Sequence, residues 1–189
     1  MIYLDVHSHK LHSTADTLVI RHQYPLEALT DEPFSVGVHP WYLENFDKQW
    51  EALLHLANHS NCWAIGECGL DKNITTTLLR QQEIFLKHIT LAETLGKPLI
   101  IHCVKAYAEV IALRKKSKAK GLWVMHGFRK NAQVAKELIA NGIALSLGSY
   151  LVYDIKLQEV IKQLPQEYLF YESDDSELSV KDLIKKVYG

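Results

Sequence analysis

"LDVHSH", residues 4–9, is the stretch whose reading decides the fold. It reads as an apolar strand that carries Asp5, His7 and His9 at every second position. Alternate residues of a strand point to one side, so these three side chains are expected to face one way. A polar row in a strand otherwise suited to a core needs polar groups opposite it. The ends of further strands supply them.

Short β-branched apolar runs alternate along the chain with segments of helical periodicity, the pattern of an α/β protein. Strands are expected over 2–7, 17–22, 34–38, 62–67, 98–102, 121–126, 142–147 and 168–172. Helices are expected over 47–59, 75–95, 105–118, 130–141, 154–163 and 179–188. In 75–95 the stripe Leu78, Leu79, Phe85, Leu86, Ile89 and Ala92 recurs at helical spacing, and Gly96 supplies a stop before Pro98. Eight strands with helices between them predict a (β/α)8 TIM-type barrel.

With 189 residues the chain is short for that fold, which typically takes about 250. The saving lies near the N-terminus. Only "KLHSTAD" separates the first two strands and "PLEALTDE" the second and third, whereas a parallel crossover usually takes about a dozen residues or more. The barrel is therefore expected to be distorted, with its first outer helices missing or reduced. Apolar barrel surface left bare there would suit a homo-oligomer. No linker, repeat or low-complexity tract interrupts residues 1–189, which read as a single domain.

At their C-terminal ends the strands read "DVHSH", "VGVHP", "AIGECGLD", "LIIHC", "VMHGF" and "FYESDDS". Barrels of this kind build their active sites at that face from several strands. His7, His9, Glu67, His102, His126 and Asp174 are thus expected to converge on one mouth. Four imidazoles and two carboxylates suit divalent transition metals, and they exceed what one tetrahedral ion with an open position needs. Two ions about 3.5–4 Å apart match better. Glu67 would bridge them, with His7, His9 and Asp174 on one ion and His102 and His126 on the other.

The other residues singled out read more plainly. His12, His22, His55, His59 and His88 are taken as satisfied core or surface histidines, the last three on helices away from the mouth. Cys68 and Cys103 each follow a proposed ligand by one residue, so alternation turns them away from the metals. Asp71 is read as supporting Glu67 or capping the next helix. Trp41 and Tyr42 are read as packing over the mouth, with an aromatic wall for a base as the alternative.

Composition bounds the function. Apolar residues are 48% and charged residues 23%, the balance of an ordinary globular protein. The net charge of -1 leaves no basic footprint, so no stable duplex-DNA binding is expected. No apolar run approaches the roughly 20 residues that span a bilayer, and the strand-like opening "MIYLDV" does not read as a signal peptide. Three cysteines without CxxC spacing suit the cytoplasm.

In order and spacing, "DVHSH", "GVHP", "AIGECGLD", "PLIIHCVKA", "HGF", "SLG" and "ESDDS" resemble the TatD-related metal-dependent hydrolases, also described as TatD deoxyribonucleases. The resemblance runs through almost the whole chain. It implies a distorted barrel, two metal ions, phosphodiester hydrolysis, the same six ligands and Asp174 as general base. The family's "GLDYY", "HCFSG" and "ETDSP" read "GLDKN", "HGFRK" and "ESDDS" here, and an "RGK…NEP"-like segment does not occur within residues 1–189.

The expected reaction is attack on phosphorus by a water that two ions have acidified, with Asp174 taking the proton. The ligand set accepts Zn, Mn, Mg, Ni or Co, and availability decides among them. The substrate would be a DNA end or another phosphate ester. His39 would contact the phosphate or leaving group, or else shape the turn before Pro40. Lys105 and Arg129 would hold a phosphate oxygen, or else are solvated loop charges. Two alternatives use the same metals: an amidohydrolase-type enzyme on a small substrate, and a catalytically weak, metal-stabilised binding module.

Overall fold

The computed structural model describes residues 2–28 and 31–189. Met1 and residues 29–30, the latter within the connection read as lacking a helix, lie outside the described residues. The strands are β1 (Tyr3–Ser8), β2 (Thr17–Gln23), β3 (Phe34–Val36), β4 (Cys62–Asp71), β5 (Leu99–Val104), β6 (Trp123–Met125), β7 (Ile143–Leu147) and β8 (Leu169–Tyr171). The α-helices are α1 (Phe46–Leu56), α2 (Leu78–Leu95), α3 (Tyr107–Ser117), α4 (Ala132–Ala140), α5 (Ile155–Ile161) and α6 (Val180–Tyr188).

All eight strands form one parallel sheet in the order of the sequence. Its two ends meet at a bridge between Ser8 and Asp174. There the His9 N–H donates to the Asp174 carbonyl (3.0 Å) and the Asp174 N–H to the His7 carbonyl (2.9 Å). The barrel is therefore nearly closed, and its seam runs through the predicted site. Among the described residues no helix separates β1 from β2 or β2 from β3. The bare surface expected there is present, with Ile2 72% and Leu4 40% exposed. No helix of the described residues is long and apolar enough to cross a membrane.

The core has two layers. Val6, Ala64, Ile100, Val124 and Ala144 pack together with Tyr168 and Phe170. These residues come from β1, β4, β5, β6 and β7 and from the β8 region, which can meet only inside the barrel. Outside it, Leu53 of α1, Phe85 and Ile89 of α2 and Leu138 of α4 cover the outward residues Ile65, Leu99, Ile101 and Leu145. Each such side chain, fully buried, contributes about 1.5–3 kcal/mol. The stripe read in α2 is this covering face. The Thr77 hydroxyl accepts from the Arg80 N–H at its start, and Gly96 ends it in the left-handed conformation (φ 63°).

Strand period then sets the site. His102 lies two residues beyond the interior Ile100, His126 two beyond Val124 and Glu172 two beyond Phe170, so each sits above the interior layer on the same side. The strict row expected of β1 does not hold. Val6 packs inside the barrel, and the register of β1 against β2 shifts between Asp5 and Ser8. Asp5 accepts from the His7 N–H (3.3 Å) and the Ser173 N–H (3.1 Å), and so ties β1 to the segment after β8 rather than joining the polar groups of the mouth. β4 also runs on to Asp71, past its expected end at 67, because Leu70 and Asp71 still pair with Cys103 and Val104. Glycine permits the close fit of β4: a Cβ on Gly66 or Gly69 would stand 2.3 Å or 2.1 Å from the carbonyl oxygen of Ile100 or His102.

Candidate metal centre

The structure brings His7, His9, Glu67, His102, His126 and Asp174 together at the C-terminal mouth, from β1, β4, β5 and the segments after β6 and β8. Glu67 is the centre, 3% exposed. Its Oε2 lies 3.4 Å from His7 Nε2 and 3.6 Å from His9 Nε2. Its Oε1 lies 2.8 Å from His102 Nδ1, 2.8 Å from His126 Nε2 and 3.2 Å from His39 Nε2. Asp174 Oδ1 is 3.8 Å from His7 Nε2 and 3.7 Å from His9 Nε2. One carboxylate thus divides the imidazoles into two sets, with Asp174 beside the first. His126 stands between the sets, its ring centroid 4.7 Å from that of His7 and 5.7 Å from that of His102.

The charges are coupled. Burial pushes the Glu67 carboxyl up, but His126 and the hydrogen bonds of His102, His126 and His39 outweigh it and hold Glu67 well below the usual range. Burial pushes the His126 imidazole down, and Glu67 together with Glu172 more than reverses this. Burial raises the Asp174 carboxyl against the pull of His126 and His7.

This donor set fits divalent metal. His7 is wholly buried, yet neither of its ring nitrogens has a hydrogen-bond partner. Leaving buried nitrogens unsatisfied is costly, and a cation on the lone pair of His7 Nε2, the nitrogen facing Glu67 and Asp174, removes part of that cost. Three groupings place one ligand atom per residue within 4.8 Å of the others: His7, His126 and Asp174; His7, His22 and Glu67; His39, Glu67 and His102.

His39 and His22 belong to the site in another way. The Trp41 N–H donates to His39 Nδ1 (3.1 Å), which leaves the proton on Nε2, facing Glu67. His39 is thus a donor toward the carboxylate. His22, taken above as a satisfied histidine, is buried beside His7 and His9. Its Nδ1 accepts from the Glu67 N–H (3.2 Å), while its Nε2 has no partner. The signal for it was available: His22 stands at the end of β2 as the other histidines stand at the ends of theirs.

Glu172 is the second residue that the reading passed over. It is wholly buried, accepts from the Gly127 N–H (2.7 Å) and lies 3.5 Å from His126 Nδ1. Its spacing of two from Asp174 was the available signal. Asp71 accepts from Trp41 Nε1–H (2.7 Å) and lies 3.2 Å from His102 Nε2, so it supports His102 rather than Glu67 and caps no helix. Arg129 sits over the Tyr150 ring (3.9 Å) and 3.7 Å from Asp154, on the rim of a 500 Å³ cavity. Lys105 is exposed and lines neither mouth cavity.

His12 pairs with Glu32 (2.7 Å) and His55 is exposed. His59 lies in the turn after α1, and not on a helix as expected. His88 is buried on α2 with both ring nitrogens engaged. Cys68 is buried in the outer layer, away from the mouth.

A family model described as TatD related DNase matches residues 6–181. An uncharacterized metal-dependent hydrolase, YcfH, from Escherichia coli (strain K12) is 32% identical over 150 residues, which are 77% of this chain and 56% of that protein. A 3'-5' ssDNA/RNA exonuclease TatD from Cronobacter turicensis is 31% identical over 159 residues, 80% of this chain and 60% of that one. The solved structure of YJJV, a TatD homolog from Escherichia coli K12, superposes with a TM-score of 0.76 at 23% identity. It covers 90% of this chain and 78% of that chain, a likeness of fold. The chain spans less than two thirds of the length of the two curated relatives.

Proposed function

Because the chain belongs to the family of TatD-related DNases, we propose that it is a divalent-metal-dependent phosphodiesterase acting on single-stranded DNA ends or small phosphate esters. The observation that carries this reading is the division of the imidazoles between the two oxygens of Glu67. His7, His9 and Asp174 would hold one ion, His102 and His126 the other, and Glu67 both. Divalent ions bound there would acidify water and stabilise charge on phosphoryl oxygens.

The chain's own residues do the rest. Asp174, its side chain 39% exposed, is the carboxylate of the centre open to water and takes the proton of the attacking water. Glu67 stays ionised and holds the histidines in place. His39 Nε2–H points at Glu67 and would be a donor for a substrate oxygen entering there. Arg129 is already engaged by Asp154 and Tyr150 and would give a phosphate only part of its charge. The net charge of -1 favours short single-stranded substrates over duplex. The three unpaired cysteines support a reducing, cytoplasmic setting.

The test is release of nucleotides from a short, end-labelled single-stranded oligomer. The protein is stripped of metal and reloaded separately with Mg, Mn and Zn, beside Asp174→Asn. Metal-dependent cleavage that disappears in the variant is expected. Metal-loaded protein that leaves the oligomer and simple phosphodiesters intact, but opens an amide or lactone, would replace this reading with the amidohydrolase one.

A further inference from the structure

We propose that a cavity walled by Tyr24, Trp41 and Tyr42 is a base-binding subsite that stacks the terminal nucleobase of a single-stranded substrate. This rests on the phosphodiesterase reading and deepens it. The mouth holds two cavities that meet at His102, His126, Asp174 and Asp175. The larger, 500 Å³, carries Arg129 and Tyr150 on its wall. The smaller, 230 Å³, is lined by the three aromatic residues together with the candidate ligands.

Tyr24 and Tyr42 stand 5.8 Å apart at 76°, and Trp41 and Tyr42 6.5 Å apart at 77°, so the walls are set edge to face rather than closed on one another. Trp41 is 52% and Tyr42 47% exposed. Both rings pack against His39, and Trp41 against His102 as well, and each still leaves about half its surface open beside the buried polar centre. The indole is nevertheless held in place. Its Nε1–H donates to Asp71 (2.7 Å) and its backbone N–H to His39 Nδ1 (3.1 Å). An oriented, half-exposed ring is what stacking on a base requires.

Size selects the occupant. Drug-sized ligands fill roughly 300–1,000 Å³, so this cavity takes one ring system and not a run of nucleotides. Charge points the same way. A net charge of -1 gives the chain no broad basic surface on which to hold a strand by its phosphates. Stacking supplies affinity that needs no basic surface and tolerates any base. The rest of the strand would leave through the larger cavity, past Arg129 and Tyr150.

The experiment is calorimetric titration of the metal-loaded protein with dAMP and with 2-deoxyribose 5-phosphate, followed by KM and kcat on the oligomer. Wild type is expected to bind dAMP about tenfold or more tighter than the abasic phosphate. Trp41→Leu should lose that margin for dAMP alone and raise KM on the oligomer well beyond the KM of Trp41→Phe, whatever the loss of the Asp71 hydrogen bond does to kcat in both. Trp41→Phe loses the same hydrogen bond to Asp71 but keeps a ring, and should recover most of the binding. Equal affinity for the two ligands, or a Trp41→Leu protein that binds dAMP and cleaves with unchanged KM, would overturn the subsite and leave the phosphodiesterase reading standing. Trp41-dependent dAMP binding without cleavage in any metal form would instead sink the hydrolysis and keep the subsite.

Discussion

Glu67 Oε1 lies 2.8 Å from His126 Nε2, deep in the barrel mouth. Burial works against the charged form of both groups, yet each holds the other ionised. Without metal, the pair is a buried carboxylate and imidazolium. A metal ion needs the imidazole lone pair, so the imidazolium proton must leave as the ion enters.

Metal loading of the stripped protein should therefore release protons, and apparent affinity should fall as pH is lowered. Calorimetry of Mn or Zn binding in buffers of different ionisation enthalpy measures the proton count directly. Identical heats in all buffers would contradict an imidazolium at His126.

Glu172 accepts from the Gly127 N–H and faces His126 Nδ1 from a wholly buried position. It faces the ring nitrogen of His126 that Glu67 does not. Glu172→Gln keeps an acceptor for Gly127 and removes the charge, and should weaken metal affinity by about 10–100-fold. Circular dichroism should show the fold retained. Unchanged affinity would show that His126 needs no such partner.

Gly69 has φ 146°, and a Cβ there would stand 2.1 Å from the His102 carbonyl oxygen. Gly69→Ala meets backbone on a central strand, together with an unfavourable dihedral. A loss of about 3 kcal/mol or more is expected in urea unfolding. A loss under about 1 kcal/mol would mean that β4 and β5 separate easily, contrary to this packing.

His88 lies on α2, its Nδ1–H donating to Ile84 O (2.9 Å) and its Nε2 accepting from the Val38 N–H (3.0 Å). The neutral ring satisfies both, and burial lowers its pKa from 6.5 to about 4. Between those values the unfolded chain takes a proton that the folded ring refuses. The stability held by the neutral ring is full above pH 6.5 and is lost as pH falls toward 4, by about 3 kcal/mol. His88→Gln keeps an acceptor for Val38 and should flatten that part of the pH profile relative to wild type. Parallel profiles would contradict it.

Much of the fold could be read from the sequence because interior and outer faces of the strands are both apolar, which makes each strand a short unbroken run between helical stripes. The convergence of the six side chains was legible for a related reason: polar groups at the C-terminal ends of such runs gather at the mouth. What escaped was set by contacts between strands. Val6 and Asp5 depart from alternation where β1 shifts register against β2. β4 continues through a glycine-rich segment that reads as a stop, because β5 keeps pairing with it. His22 and Tyr24 lie at the end of a strand whose following helix is missing; the position of His22 at that end was visible, but its burial beside His7 and His9 is set by contacts between strands. Glu172 stood in a run of acidic residues, where its spacing of two from Asp174 was the one mark in the sequence and its burial shows only in the structure.

The central claim, that Glu67 joins two sets of ligands around two ions, is tested most directly by counting metal. Stripped protein would be equilibrated with Mn, freed of excess and analysed for Mn per chain, beside Glu67→Gln. The account predicts about two ions per wild-type chain and a loss of at least one in the variant. One ion or none in wild type, or two in both proteins, would contradict it.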